Sequence, residues 1–414
     1  MPQILNERAK HVKRLMQGAR LPIVALYLCV PVCTVAFIFT VGSICASVLQ
    51  KGTAGKRDFI AYWASGQLFA HKVNPYDGRA ILALERAAGF TPGHPLIMRN
   101  PPTALLLVLP LGFVGPWAGE LLWSALLIGC LVASVRMVWV VHGRPRDKLH
   151  LLGYSFGPAL ICVAAGQTGL LALLGLSCFL YFHRHRPFFA GLFLWFCLLK
   201  PHLFLPFAAV LFAWAILTRR YKILLGAALT LAVSATVAQA LDAHVWAQYV
   251  QMLRWDNVDR PAIPCISIML RRAVNPDYRW LQYLPAALGC VWALNYFRRH
   301  RAHWNWMEQG SLLTLVSLAV APYAWITDQA ILIPAMLHAA YLTRSRSLLA
   351  LFVLASAAIE TGIFRRVQPF QSPLYIWTVP AWLAWYLCAV RSGGVGQDSL
   401  PMAAPLTPAK DAYP

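Results

Sequence analysis

The sequence predicts an all-α polytopic membrane protein, and three observations carry that expectation. Hydrophobic residues make up 59% of the 414-residue chain and charged ones only 12%, at a mean hydropathy of +0.57. Soluble domains carry roughly 25% charged residues. Several apolar runs, beginning with Leu21 to Leu49, reach or approach the roughly 20 residues that cross a bilayer. The net charge of +21, from 36 Lys and Arg against 15 Asp and Glu, falls in short clusters between those runs. The clusters are Lys10 to Arg20, Arg136 to Lys148, His183 to Arg186, Arg219 to Lys222, Arg298 to Arg301 and Arg344 to Arg346. Positive residues gather in cytoplasmic loops, so this excess reads as topology, and nucleic-acid binding explains it poorly.

The basic arm at residues 1–20 is expected to be cytoplasmic, with an interfacial helix from Asn6 to Arg20. The apolar run after it is too long for a cleaved signal peptide, which makes it an uncleaved signal-anchor that exits near Gln50 on the outer face. A single transmembrane domain then covers residues 21–391, and the Gly, Ser, Pro and Ala-rich tail at 392–414 reads as disordered and cytoplasmic. The ten cysteines lie almost entirely inside apolar runs without metal-type pairing, so neither a disulfide framework nor a metal site is expected.

The longest polar, irregular stretch is the first outer loop, residues 50–100. Phe59 to Ala70 and Arg79 to Ala88 read as amphipathic helices along the membrane surface. At Asn100-Pro101-Pro102 the chain re-enters the membrane, because proline is tolerated where a helix begins. A second outer loop spans residues 242–280. Between the two, apolar pieces of about 12 to 15 residues are interrupted by Gly166-Gln167-Thr168-Gly169 and Lys200-Pro201-His202, and a third break follows at Pro322 to Gln329. Irregular backbone at membrane depth persists only where protein or water satisfies it, so these breaks should line a cavity. In all, about eleven transmembrane helices are expected, within a range of nine to thirteen.

Few residues in such a chain can carry chemistry. Asp58, beside Arg57 near the bilayer surface, is either a solvated carboxylate or a base in a partly dehydrated cleft. Lys200, flanked by Leu199 and Pro201, costs about 2.5–3.5 kcal/mol at the bilayer centre and needs a partner, an anionic phosphate or a path to the headgroups. His202 accompanies it. Asp328 is either functional or the structural partner of Lys200 or an arginine. Gln167 can bond a sugar hydroxyl or glue helices together. Arg99, Arg254, Arg260 and Arg271 are phosphate ligands or interfacial anchors. No glycine-rich nucleotide loop, Walker lysine motif or metalloprotease motif is present, so an enzyme of this kind needs a substrate activated elsewhere, as a lipid-linked donor is.

The residues resemble the family 87 glycosyltransferases of the GT-C class, polytopic enzymes that use polyprenyl-phosphate sugars. The matching pieces occur in order along most of the chain: Asp58-Phe59 with Tyr62 and Ala64, Asn74-Pro75-Tyr76-Asp77, Pro101-Pro102 with Leu109-Pro110-Leu111, Gly166-Gln167, Lys200-Pro201, and Pro322-Tyr323 with Asp328. The chain departs from many relatives in carrying Asn100 before the double proline, and from some in offering Asp328 where they have histidine. The resemblance implies a GT-C fold, a catalytic aspartate in the first outer loop that falls on Asp58 as general base, and transfer of a hexose, usually mannose, from polyprenyl phosphate; an inverting mechanism and a lipid-linked or glycan acceptor are expected with it. From the residues themselves, donor-phosphate contacts are expected from Lys200, Arg99, His202, Arg254 and Arg260. Sugar or acceptor contacts would come from Arg57, Tyr62, Asn100, Gln167, Tyr323 and Asp328. No nucleotide or redox cofactor is expected; assistance by a divalent metal stays open. The expected setting is a bacterial inner membrane, with the N-terminus cytoplasmic and the active site outside. The competing reading is a lipid or solute transporter or flippase, which also uses broken helices and membrane carboxylates but is expected to show internal repeats.

Overall fold

The structure is a computed structural model that describes residues 23–50, 54–255, 263–343, 345–364 and 372–393. Sixteen labelled helices follow in chain order, joined by single helical turns and short loops. The first four are α1 (Ile23–Leu49), α2 (Phe59–Ala70), α3 (Gly78–Ala87) and α4 (Pro116–Val141). Next come α5 (Gly157–Ala165), α6 (Gly169–Phe182), α7 (Pro187–Phe193), α8 (Leu205–Leu217), α9 (Tyr221–Leu241) and α10 (Val245–Trp255). The last six are α11 (Ile266–Val274), α12 (Leu284–His300), α13 (Gln309–Ala319), α14 (Ile333–Leu342), α15 (Arg346–Phe364) and α16 (Thr378–Gly393). No strand occurs among the described residues. Proline opens α4, α5, α7, α8, α12 and α14, where its missing N–H would be unpaired in any case. The buried apolar side chains form one cluster reaching from Ile44 to Ala389.

Among the described residues, four helices are long and apolar enough to cross a bilayer: Pro116–Val141, Tyr221–Leu241, Arg346–Ile363 and Pro373–Ser392. Six apolar helices are shorter, so helices of spanning length do not account for the expected count of about eleven. The reason lies at the breaks. Gln167, Lys200, Tyr323 and Asp58 line one cavity, so the intervening helices leave that cavity and come back to it. At 1.5 Å per residue, the 14 residues of α6 carry the chain about 21 Å away, to His183–Arg186. The 13 residues of α8 carry it about 20 Å, to Arg219–Lys222, and the 21 of α9 return it over about 31 Å. In the same way α14 leads from the third break to Arg346. Basic clusters thus lie at the far ends of hairpins whose near ends are the polar breaks.

The segment at residues 54–100 departs from its expected character. α2 is not an amphipathic helix with one free face: ten of its twelve residues are buried, and it packs against α3, α4 and the Leu109–Phe113 turn. Its small residues explain this, since a side chain at Gly66 would meet the Val108 carbonyl at 2.3 Å. α3 keeps one polar face and buries Ile81 and Glu85. The N-terminal arm, Arg260 and the tail beyond Gly393 lie outside the described residues.

Candidate active site

A cavity of about 800 Å³ lies where residues 58–62 and 94–101 meet the three breaks. That volume is within the range of small-molecule sites. Asp58, Tyr62, Arg99, Asn100, Gln167, Lys200, His202 and Tyr323 all line it. Eight of the residues singled out in the sequence are therefore brought together, although Asp58 and Tyr323 are far apart in the chain.

Asp58 precedes α2 and is half-buried. Its Oδ2 accepts a hydrogen bond from Gln167 Nε2 at 2.8 Å. Gln167 in turn accepts at Oε1 from the Tyr62 hydroxyl at 2.8 Å, and Lys200 Nζ lies 3.5 Å from the same oxygen. Gly166 makes this approach possible. It ends α5 with φ +75°, and a Cβ there would stand 2.7 Å from that of Phe59. Only glycine tolerates both the left-handed backbone and the contact. Trp123 holds the arrangement from behind, donating to the Gly166 carbonyl at 2.8 Å and stacking on Tyr62 at a centroid distance of 5.2 Å. Burial pushes the Asp58 carboxyl above its ordinary value, while the Gln167 hydrogen bond and the charges of Lys200 and Arg57 pull the other way.

Arg57 turns away from the cavity, so its expected sugar or acceptor contact is corrected. Its Nη1 pairs with Glu120 Oε1 at 2.8 Å, and its Nε donates to the Ala164 carbonyl at 2.6 Å. A further hydrogen bond runs from Nη2 to the carbonyl of Val163. The carbonyls at the C-terminus of α5 carry the negative end of its dipole, which suits a guanidinium, and Arg57 shares the Val163 carbonyl with the Gly166 N–H. Arg57 therefore fastens the start of the Asp58 segment to α4 and α5, next to the Gln167 turn.

Asp328 is also corrected. Its side chain is fully buried behind the cavity, with Oδ1 2.6 Å from Lys200 Nζ and Oδ2 accepting from the Trp325 backbone N–H at 2.9 Å. It is the structural partner of Lys200. An ammonium has three protons to donate, and Asp328 with Gln167 engages two of them. His202 stacks on Tyr323 with ring centroids 3.8 Å apart, and its buried Nε2 has no hydrogen-bond partner among the described residues. Asn100 fixes the rim: its Nδ2 donates to the Leu199 carbonyl at 2.8 Å, and its own carbonyl accepts from the Tyr76 hydroxyl at 3.1 Å.

Arg254 is exposed on α10 and takes no part in the cavity lining, because its side chain projects from the face of α10 opposite the buried Val245 and Met252. Arg271 is buried against Gln282, 3.0 Å from its Oε1. Arg260 lies outside the described residues.

Sequence reasoning missed Glu120 and Glu85 as parts of this region and did not place Tyr249, in the 242–280 loop, at the cavity; Trp325 lies in the third break, where the lining is expected. Glu85 is fully buried, and both of its oxygens accept from the Leu96 N–H at 3.2 Å, which ties α3 to the cavity wall at residues 94–99. A lone acidic residue inside an apolar run was the available signal for Glu120, and it pointed to no partner. Among the described residues, no group of three or more His, Cys, Asp or Glu could hold a metal ion.

This architecture, a helical membrane protein with a polar cavity at the meeting of broken helices, is that of a membrane-embedded enzyme or transporter. The model of glycosyltransferase family 87 matches residues 99–357, and the chain belongs to that family. It is therefore a glycosyltransferase, and the transporter alternative gives way. Comparisons with curated proteins and with solved structures gave no match. The family match begins at Arg99, so the Asp58 loop stands on its geometry alone.

Proposed function

We propose that this protein transfers a hexose, mannose in the first instance, from a polyprenyl-phosphate donor to a lipid-linked or glycan acceptor with inversion, and that Asp58 is the general base. The observation that carries the reading is Asp58 in the cavity wall, held by one end of the Gln167 amide whose other end faces Lys200 Nζ at 3.5 Å. One Asp58 oxygen is occupied by Gln167; the other takes the proton of the acceptor hydroxyl as that oxygen attacks the anomeric carbon. The polyprenyl phosphate leaves on the opposite face. A positioned base contributes typically 10²–10⁴-fold.

The remaining Lys200 proton, the Arg99 guanidinium and His202 Nε2, which has no hydrogen-bond partner among the described residues, receive the developing phosphate charge, which prepositioned donors stabilise without reorganising. Tyr62 and Asn100 border the sugar, and Tyr323 contributes chiefly by fixing the His202 ring. The phosphate ester already carries the activation, so no nucleotide or redox cofactor is required. Basic clusters at the far ends of the hairpins support a cavity that opens on the non-cytoplasmic side, the outer face of a bacterial inner membrane.

The test is Asp58→Asn in purified full-length protein given polyprenyl-phosphate-mannose and a panel of membrane-lipid and glycan acceptors, with products read by mass spectrometry. Transfer should fall at least a hundredfold at unchanged membrane level. Retained transfer removes Asp58 from the mechanism, and a product formed only with another donor replaces the donor assignment.

A further inference from the structure

A second groove of about 600 Å³ abuts the cavity and shares Pro95 and Trp255 with it. Its walls come from the Asn74-Pro75-Tyr76-Asp77 segment, the first turns of α3, and α10. We propose that this groove is a carbohydrate subsite that holds neutral hexose units of an extended glycan acceptor, so that the end of the chain reaches Asp58. The proposal rests on the glycan-acceptor reading above and deepens it.

Four features favour neutral sugar over an anionic headgroup. The groove carries one charge of each sign, Asp77 and Arg79, and so has no net field to select an anion. Its amides, Asn74, Gln248 and Gln251, donate and accept at once, as sugar hydroxyls do. Asn74 and Asp77 are fixed before any ligand arrives, because Asn74 Oδ1 accepts from the Tyr76 N–H and Asp77 Oδ1 from the Arg79 N–H, each at 2.9 Å. Gln248 Oε1 is buried and has no hydrogen-bond partner among the described residues, a state that costs free energy until a donor fills it.

Trp255 supplies the stacking surface. Trp255 is 47% exposed, and its indole lies so close to the backbone of α3 that a Cβ at Gly78 would stand 3.0 Å from Cη2. An aromatic face held rigid at a polar rim binds the apolar face of a pyranose while the amides take the hydroxyls. Trp255 stands on the boundary between the two cavities, where a chain would pass from groove to base.

Saturation-transfer NMR on the full chain in detergent, with methyl mannoside, mannotriose, maltotriose and inorganic phosphate as probes, tests this directly. A trisaccharide should bind about tenfold more tightly than methyl mannoside, and Gln248→Leu and Trp255→Ala should each remove about tenfold of that gain. Gln251→Leu serves where either variant melts below the wild type. Displacement of the trisaccharide by inorganic phosphate, or the absence of trisaccharide binding across the panel, overturns the proposal. Transfer assays with mannosyl and mannotriosyl acceptors separate the two readings. Trisaccharide binding without transfer leaves the groove standing while the donor assignment fails. Transfer with equal KM for both acceptors overturns the groove and leaves the transferase reading intact.

Discussion

Gln167 Nε2 donates to Asp58 Oδ2 at 2.8 Å across 109 residues of chain. The amide has two ends, and its other end accepts from Tyr62. A carboxylate beside Gln167 is thereby oriented without being neutralised. Gln167→Leu should remove the orientation and lower kcat more than it raises donor KM. Gln167→Glu sets a like charge beside Asp58 and should move the acid limb of the rate profile to higher pH. Steady-state kinetics over pH 4 to 9 checks both, and an unchanged profile in Gln167→Glu would sever the link between the two residues.

The wild-type pH profile is itself informative. Burial raises the Asp58 carboxyl above its ordinary value of 3.8, with the Gln167, Lys200 and Arg57 contributions opposing. Only the ionised form accepts a proton, so kcat/KM should be high above that raised value and fall as pH drops through it. The midpoint should therefore lie above the range of a solvated aspartate. A midpoint at or below about 4 would contradict a desolvated base.

Much of this arrangement was legible in the sequence because polar residues in an apolar background stand out. Asp58, Gln167, Lys200 and the Pro322 to Gln329 break were visible as interruptions, and the expectation that the breaks line a cavity matches their placement. Which way each side chain points was not legible. Arg57 and Asp58 are neighbours, yet one side chain runs back to Glu120 and the α5 C-terminus while the other faces the cavity. Adjacency in sequence does not record that divergence. Span counting was limited by the same breaks, since short helices that turn back at the cavity look like incomplete crossings. The burial of α2 was hidden because its aromatic and small residues fit an interfacial helix as well as a packed one.

The Lys200–Asp328 pair allows a sharper test than either residue alone. Removing one partner leaves a buried charge uncompensated, which typically costs about 3–5 kcal/mol, whereas removing both can be nearly neutral. Lys200→Met and Asp328→Asn should therefore each lower the thermal midpoint in detergent, and the double variant should recover most of the loss. If Lys200 also holds donor phosphate, the double variant should melt normally and still show a raised donor KM. Recovery of both stability and donor KM would confine Lys200 to a structural role.

Gly166 offers a backbone test of how the Asp58 loop is held. Gly166→Ala forces an L side chain into φ +75° and places its Cβ 2.7 Å from Phe59 Cβ. The left-handed conformation alone costs roughly 1–2 kcal/mol, and the contact pushes the start of α2 away from α5. Transfer should fall well beyond what the loss of stability explains, because Asp58 moves with Phe59. Normal kcat in a folded Gly166→Ala protein would show that the close approach is dispensable.

Glu85 gives the last prediction, on stability. Burial, opposed by the Leu96 N–H, raises its carboxyl from 4.5 to about 8 in the folded protein. The folded state thus binds a proton that the unfolded chain releases near 4.5, and linkage makes the sign definite. Its stabilising contribution is fully present below pH 4.5, declines as pH rises, and is gone once pH passes about 8. Each unit of pKa difference is worth about 1.4 kcal/mol, so the change across that window amounts to a few kcal/mol. Glu85→Gln mimics the protonated form and should flatten the dependence. Thermal unfolding at pH 5.5, 7 and 8.5 should show wild type losing stability with rising pH and Glu85→Gln losing less. Because Glu85 ties down the wall at residues 94–99, loosening of that wall should appear in wild type at the alkaline end as faster backbone amide exchange at Leu96. Equal pH slopes in the two proteins would mean that Glu85 is not protonated in the fold.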